Sequence, residues 1–261
     1  MILEVKDLAF GYKKDERLFE HVNFSLEKGE IFSILGANGA GKSTMMNCIA
    51  NLLKPEEGEI FLKGKNLKEL SIREVSRIIG YVPQMHTPAY GYEARDFVVM
   101  GRAPYLEFFE QPSQKDYDLV NETMEELGIL KLAHRPYTEL SGGERQQVSI
   151  ARAIVQQPDI ILLDEPTNHL DYGNQLRMMR LIQKLSGKGY TIMITSHMPD
   201  HVLLLGGKVG MLGDDGSFTS GTNDDILTEE NLKRLYQVDV HLVYMEQLKR
   251  KVCISGENIA R

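Results

Sequence analysis

The chain has 261 residues, 42% of them hydrophobic and 26% charged, enough to bury a substantial core as one large domain or two small ones. That composition excludes disordered, collagenous and disulfide-built classes, and a formal net charge of -7 argues against the broad basic face of a non-specific nucleic-acid binder. Two cysteines, Cys48 and Cys253, fit neither a disulfide framework nor a zinc site and read as reduced thiols of a cytosolic protein, Cys48 as a small core residue.

The N-terminal MILEVKDLAFGY alternates like a strand and lacks the basic-then-apolar layout of a signal peptide. No run of about 18 apolar residues occurs, so any membrane role must go through a partner. Ile2 to Phe10 and Leu18 to Leu26 predict antiparallel strands covering the edge of a core sheet, with Lys13 to Arg17 as a charged connector. Tyr12 ends the first segment. Taken alone it reads as a half-buried tyrosine; in a nucleotide-binding protein an aromatic there stacks on adenine.

An apolar run, Ile31 to Leu35, then leads through GANGAGKST, Gly36 to Thr44, into the helical MMNCIANLL. Strand, glycine-rich turn and helix in that order make a phosphate cradle. Gly36, Gly39 and Gly41 let the backbone bend around an anion, and the helix start adds partial positive charge. Lys42 reaches the β- and γ-phosphates, and the Ser43 hydroxyl can ligate Mg²⁺. The plain alternative is a glycine-rich turn that happens to contain a lysine.

Beyond it, PEEG at Pro55 to Gly58 is a turn, Glu59 to Leu62 a short strand, and Ile78 to Pro83 a strand ending in Gln84. An amide at the carboxyl end of a core strand can meet Mg²⁺ or a water, although alone it reads as a surface residue. From Met85 to about Gln157 the strand signal gives way to helical segments, Glu93 to Met100, Gln114 to Leu127 and Gly143 to Gln156, which predict an inserted helical subdomain. LSGGERQQ, Leu140 to Gln147, places Ser141 as an N-cap with Glu144 as its capping-box partner. Gly142 and Gly143 in a first helical turn weaken the helix unless something must approach closely.

Ile160 to Leu163 then predicts a buried strand ending in Asp164 and Glu165. Two adjacent acids at that edge can divide the work, Asp164 toward a Mg²⁺ shell and Glu165 toward a water as general base; a charged turn is the ordinary alternative. PTNHLD, Pro166 to Asp171, is a tight loop, and Gly189 to Thr195 a core strand ending in Ser196 and His197. His197 and His201 are spaced like two zinc ligands, but Pro199 between them and the missing third ligand speak against zinc. His197 is better placed to touch a γ-phosphate or hold a water. Lys208 to Leu212 and Ser217 to Gly221 predict two short strands around DDG, and Thr228 caps an amphipathic helix, TEENLKRLY. HLVYM from His241 is strand-like, and the basic cluster Lys249 to Lys251 reads as a solvated tail.

Five of these motifs in this order resemble one family, the ATP-binding cassette (ABC) ATPases. GANGAGKST is similar to their Walker A motif, Gln84 to the Q-loop, LSGGE to the signature, ILLDE to the Walker B, and Asn168 to Asp171 to the D-loop. His197 matches the switch histidine and Tyr12 the adenine-stacking aromatic. The resemblance implies an α/β P-loop NTPase (RecA-like) core sheet with an antiparallel β edge subdomain and an inserted α-helical subdomain. It implies one cassette over 1–240, with core 1–85 and 158–240, helical subdomain 86–157, and a C-terminal extension 241–261. ATP and Mg²⁺ are the implied cofactors. Tyr12, Gly36, Asn38, Gly39, Ala40, Gly41, Lys42, Ser43 and Thr44 would bind the nucleotide; Ser43, Gln84 and Asp164 would serve the metal; Glu165, His197 and Gln84 would act in hydrolysis. Ser141, Gly142, Gly143, Glu144 and Asp171 would complete the site of a second copy paired head to tail.

Within the family, MGRAPYLEFF at Met100 to Phe109, PSQKDYDLV at Pro112 to Val120, SHMPDH at Ser196 to His201 and LYQVDV at Leu235 to Val240 look like the importers of iron-siderophore, haem, cobalamin and related metal chelates. The partners so implied are a membrane permease at the cytoplasmic face of the cell membrane and, through it, a substrate-binding protein, with no nucleic acid. Glu144 stands where glutamine is more frequent, and Ser196 where threonine is common. A cassette ATPase coupled to no permease, as in iron–sulfur cluster assembly, and an exporter ATPase are the alternatives. A phosphate-transferring kinase has no use for LSGGE.

Overall fold

Alternation of apolar and polar residues sets the first two strands: β1 (Leu3–Lys13) and β2 (Glu16–Leu26) pair antiparallel and bury Leu3, Val5, Leu8, Val22 and Leu26. Lys14 and Asp15 of the connector lie outside the residues that this computed structural model describes, which are 1–13, 16–84 and 91–256. β3 (Ile31–Gly36), buried throughout, feeds the glycine turn and α1 (Lys42–Ile49). β4 (Glu57–Leu62) and β5 (Lys65–Asn66) extend the first sheet in the order β2-β1-β4-β5. α2 (Ile72–Ile78), opened by a Ser71–Glu74 capping box, runs into β6 (Ile79–Val82).

Three helices follow, α3 (Ala94–Val99), α4 (Gln114–Glu126) and α5 (Gly142–Val155). They close around their own core of Val98, Val120, Met124, Ala151 and Val155, with the Phe97 and Tyr137 rings stacked 4.2 Å apart. The first residues of the expected insertion, 85–90, fall outside the described ones. The chain then alternates strand and helix: β7 (Ile160–Leu163), α6 (Tyr172–Gly187), β8 (Thr191–Ser196), α7 (Pro199–Leu205) and β9 (Lys208–Leu212). β10 (Phe218–Thr222), α8 (Asn223–Ile226), α9 (Glu229–Tyr236), β11 (Val240–Met245) and β12 (Arg250–Ser255) complete it.

The core sheet runs β10-β9-β3-β8-β7-β6, parallel except for β10. Its strands are continuous aliphatic runs because both faces are covered. Ile160 and Leu162 face α1 and the antiparallel sheet, whereas Ile161 and Leu163 face α5 and α6. β2 does lie along the edge strand β10, the Glu20 N–H donating to the Gly216 carbonyl at 3.3 Å and the Ser220 hydroxyl to the Asn23 carbonyl at 2.9 Å. Parallel order brings the carboxyl ends of β3, β8, β7 and β6 to one edge, where ligands bind in sheets of this kind.

The basic cluster is not a solvated tail. β11 and β12 form a hairpin, paired from Val240 opposite Ser255 to Met245 opposite Arg250, with Lys249 in the turn at φ 50°. Lys251 pairs with Asp224 at 2.7 Å, and Val240, Leu242 and Cys253 pack on the core shared by α7 and α9. KVCIS supplies a strand for HLVYM to pair with, and pairing satisfies backbone groups that a free tail would leave to water.

Candidate functional site

The glycine turn is built as its sequence demands. Gly39 (φ 89°) and Gly41 (φ 105°) both occupy the left-handed region, and a Cβ at Gly41 would press on Leu18 of β2. Lys42 opens α1 and is buried at 5% exposure. Its ammonium folds back over the loop, donating to the carbonyls of Gly36 at 2.9 Å and Ala37 at 2.8 Å. It also lies 3.0 Å from Glu165 Oε1.

The two acids leave β7 together, and Thr195 of β8 orients both. Its hydroxyl donates to Asp164 Oδ1 at 2.6 Å and accepts the Glu165 N–H at 2.8 Å. Glu165 holds a left-handed backbone, φ 45°, a strained state for a residue of its size. That turn aims its carboxylate inward, where Oε2 meets His197 Nδ1 at 2.8 Å. Oε1 is within ion-pairing distance of Lys42 but off the angle for a hydrogen bond, so this buried oxygen keeps an unfilled lone pair. An orphaned carboxylate oxygen on the wall of a cleft suits a group that donates, such as a water.

That cleft, about 310 Å³, is lined by Tyr12, Leu18, Asn38, Gly39, Gly41, Lys42, Ser43, Thr44, Gln84, Glu165 and Asn168. Tyr12 is 69% exposed and packs edge-on to Phe10 at 5.0 Å, with its hydroxyl 3.0 Å from Thr44 Oγ1. One face of its ring is thus free for a planar partner. Gly36 and Ala40 shape the turn from beneath, Ala40 being buried. Asp164, 2% exposed, stands behind Glu165. The oxygen donors Ser43, Gln84 and Asp164 are of the kind that hold a hard divalent cation.

The signature residues are not brought to this cleft. Ser141 caps α5 in a reciprocal box, Glu144 Oε2 accepting from the Ser141 N–H at 2.9 Å and hydroxyl at 2.8 Å, which lowers the Glu144 pKa. Gly142 lines a neighbouring pocket of about 200 Å³ with Gln84 and Asn168; Gly143 sits beside Asn174 of α6. Asp171 is exposed and caps α6, accepting the Asn174 N–H at 2.9 Å. A larger hollow, about 430 Å³ between the β9–β10 turn and α9, contains none of the predicted site residues.

His201 is buried, 3.3 Å from Thr167 Oγ1, and burial lowers its pKa, with His197 adding to the effect. No group of three His, Cys, Asp or Glu side chains is placed to hold a metal ion among the described residues. Cys48 is buried, which pushes its thiol up to about 12. Sequence reading missed Leu18 and Thr195. A leucine in an alternating strand and a threonine in an aliphatic one carry no signal that separates a site wall from ordinary packing.

A family model described as "ABC transporter" matches residues 19–168, more than half of the chain. An uncharacterised ABC transporter ATP-binding protein of Haemophilus influenzae is 40% identical over 94% of this chain and 92% of that protein. From the same organism, the molybdate import ATP-binding protein MolC is 37% identical over 94% of this chain and 90% of its own. The iron(3+)-hydroxamate import ATP-binding protein FhuC of Bacillus subtilis is 30% identical, with 98% and 96% covered. Among solved structures, an inward-facing transporter assigned to the metal-chelate type superposes with a TM-score of 0.86 at 32% identity, covering 97% of this chain and 96% of that one. With the motifs, the P-loop fold and these full-length likenesses in agreement, the chain belongs to the ABC transporter family, as an ATP-binding and ATP-hydrolysing subunit.

Proposed function

We propose that this chain powers the import of a metal chelate through a separate membrane permease, working as a head-to-tail pair of cassettes. Full-length likeness to an iron-hydroxamate import ATPase and to a metal-chelate type transporter carries the reading. No helix among the described residues is long and apolar enough to cross a membrane, in keeping with a permease made by other chains. Its place would then be the cytoplasmic face of the membrane, with a substrate-binding protein reached through the permease. MolC favours a second cargo class, an oxyanion, which the same ATPase chemistry would serve.

Within the cleft we assign the following roles. Tyr12 stacks the adenine, and the amides of the turn with the α1 start take the phosphates. Lys42 exchanges its carbonyl and Glu165 contacts for phosphate oxygens. Mg²⁺ held by Ser43, Gln84 and Asp164 would neutralise developing phosphate charge. Glu165 Oε1 accepts a proton from the attacking water, and His197 fixes the other carboxylate oxygen. Ser141 to Glu144 and Asp171, which do not line their own chain's cleft, serve the partner cassette.

A permease contact is suggested by the segment after α3. Phe108 and Phe109 are 92% and 93% exposed and stack edge-on at 4.8 Å. Arg73 and Arg77 of α2 hold the preceding turn through the Pro104 carbonyl at 2.9 and 3.0 Å. Affinity capture of the tagged chain from detergent-solubilised membranes, read by mass spectrometry, tests the proposal. A polytopic permease is expected; recovery of soluble partners alone would overturn it.

A further inference from the structure

The C-terminal elements have no part in the chemistry above, yet they reach it. α9 is anchored in the core by Leu232 and Leu235 and ends at Tyr236. There the phenol donates to the main-chain carbonyl of His197 at 2.8 Å. The imidazole of that same residue holds Glu165 Oε2 at 2.8 Å. Two hydrogen bonds therefore join α9 to the carboxylate.

His197 lies in the short link between β8 and α7, outside both the strand ladder and the helix. The next turn is also tied down: Asp200 of α7 accepts the Cys253 N–H of β12 at 3.0 Å. The hairpin is fastened to α9 in turn, the Leu242 N–H donating to Glu229 Oε1 at 2.8 Å. Burial raises the Tyr236 pKa, so the phenol stays a donor.

We propose that Tyr236 is a positioning residue for ATP hydrolysis, fixing the His197 backbone so that the imidazole is presented to Glu165, with the β11–β12 hairpin as its support. The proposal rests on His197 and Glu165 being the hydrolytic pair. Removing one neutral hydrogen bond leaves the ring packed and costs on the order of one bond's worth of alignment.

The test is a mutant cycle on the full chain, with steady-state ATPase kinetics and thermal denaturation of Tyr236→Phe, His197→Ala and the double variant. Tyr236→Phe is expected to lower kcat by about three- to tenfold, with KM for ATP essentially unchanged and Tm lowered by only a few degrees, still well above the assay temperature. In the His197→Ala background it should cause no further loss, because it acts through that residue. Parent-like kcat in Tyr236→Phe, an equal added loss on top of His197→Ala, or a fall in Tm that accounts for the lost activity would each overturn the assignment of Tyr236. Parent-like turnover in His197→Ala would instead remove the hydrolytic pair itself, and the positioning role with it.

Discussion

Thr195 ties one acid's side chain to the next acid's backbone, so the two cannot move independently. Thr195→Val keeps the shape and removes both bonds, leaving the buried Asp164 carboxylate and Glu165 N–H without this partner. A loss of about 1–3 kcal/mol in urea denaturation is expected, together with reduced turnover. Glu165→Gln should retain ATP binding and lower turnover by roughly 10²-fold or more, read as steady-state phosphate release. His201 contributes a pH effect of definite sign. Its folded-state pKa lies below the ordinary 6.5, so the folded chain binds fewer protons than the unfolded one. The contribution of His201 to stability is complete above about pH 6.5 and is lost as pH falls below it toward the folded-state value; His201→Gln should flatten the slope of Tm below about pH 6.5. At this scale the sequence was legible where residue type and position agree. A lysine after a glycine turn, a glutamate after an aliphatic strand and a histidine after the next strand converge here. Thr195 and Leu18 were not, because a threonine and a leucine suit buried strands for packing reasons alone.

Among elements, the turn after α3 depends on one glycine. A Cβ at Gly101 would overlap the Arg152 carbonyl of α5 and crowd Val155. Gly101→Ala should therefore push the 100–109 segment off α5, at about 1–3 kcal/mol of stability in chemical denaturation. If that segment meets the permease, capture of the permease should weaken in the same variant. Aliphatic strands announced themselves because parallel sheets are covered on both faces. The β11–β12 hairpin did not. Its turn, EQLK at 246–249, has no Asn-Gly or Asp-Gly signal, and the basic run Lys249 to Lys251 obscured the β-branched pattern of the residues that follow.

At the scale of the molecule, the cleft is furnished on one side only. Ser141 and Asp171 cap their own helices and leave this chain's cradle open. Glu165→Gln with ATP and Mg²⁺ should consequently run as a dimer by light scattering, and Ser141→Arg added to it should return the chain to a monomer while nucleotide binding persists. A monomer in the first case would count against the head-to-tail pair. Strand order could be inferred only in outline from sequence, since the antiparallel sheet's partners, β1 with β4, are separated by the whole of β2, β3 and α1.

The contact between Lys42 and Glu165 also bears on selectivity. Lys42 is already engaged by Glu165 and two loop carbonyls, so an entering ligand must displace those contacts before it gains the ammonium. A nucleoside stacked on Tyr12, as proposed above, would offer nothing in exchange for that pair. Only a ligand carrying phosphate oxygens deep enough to reach the ammonium can replace it. The exchange therefore separates nucleosides, which carry no phosphate, from nucleotides, and leaves the distinction between a spent nucleotide and a charged one to contacts with the terminal phosphate.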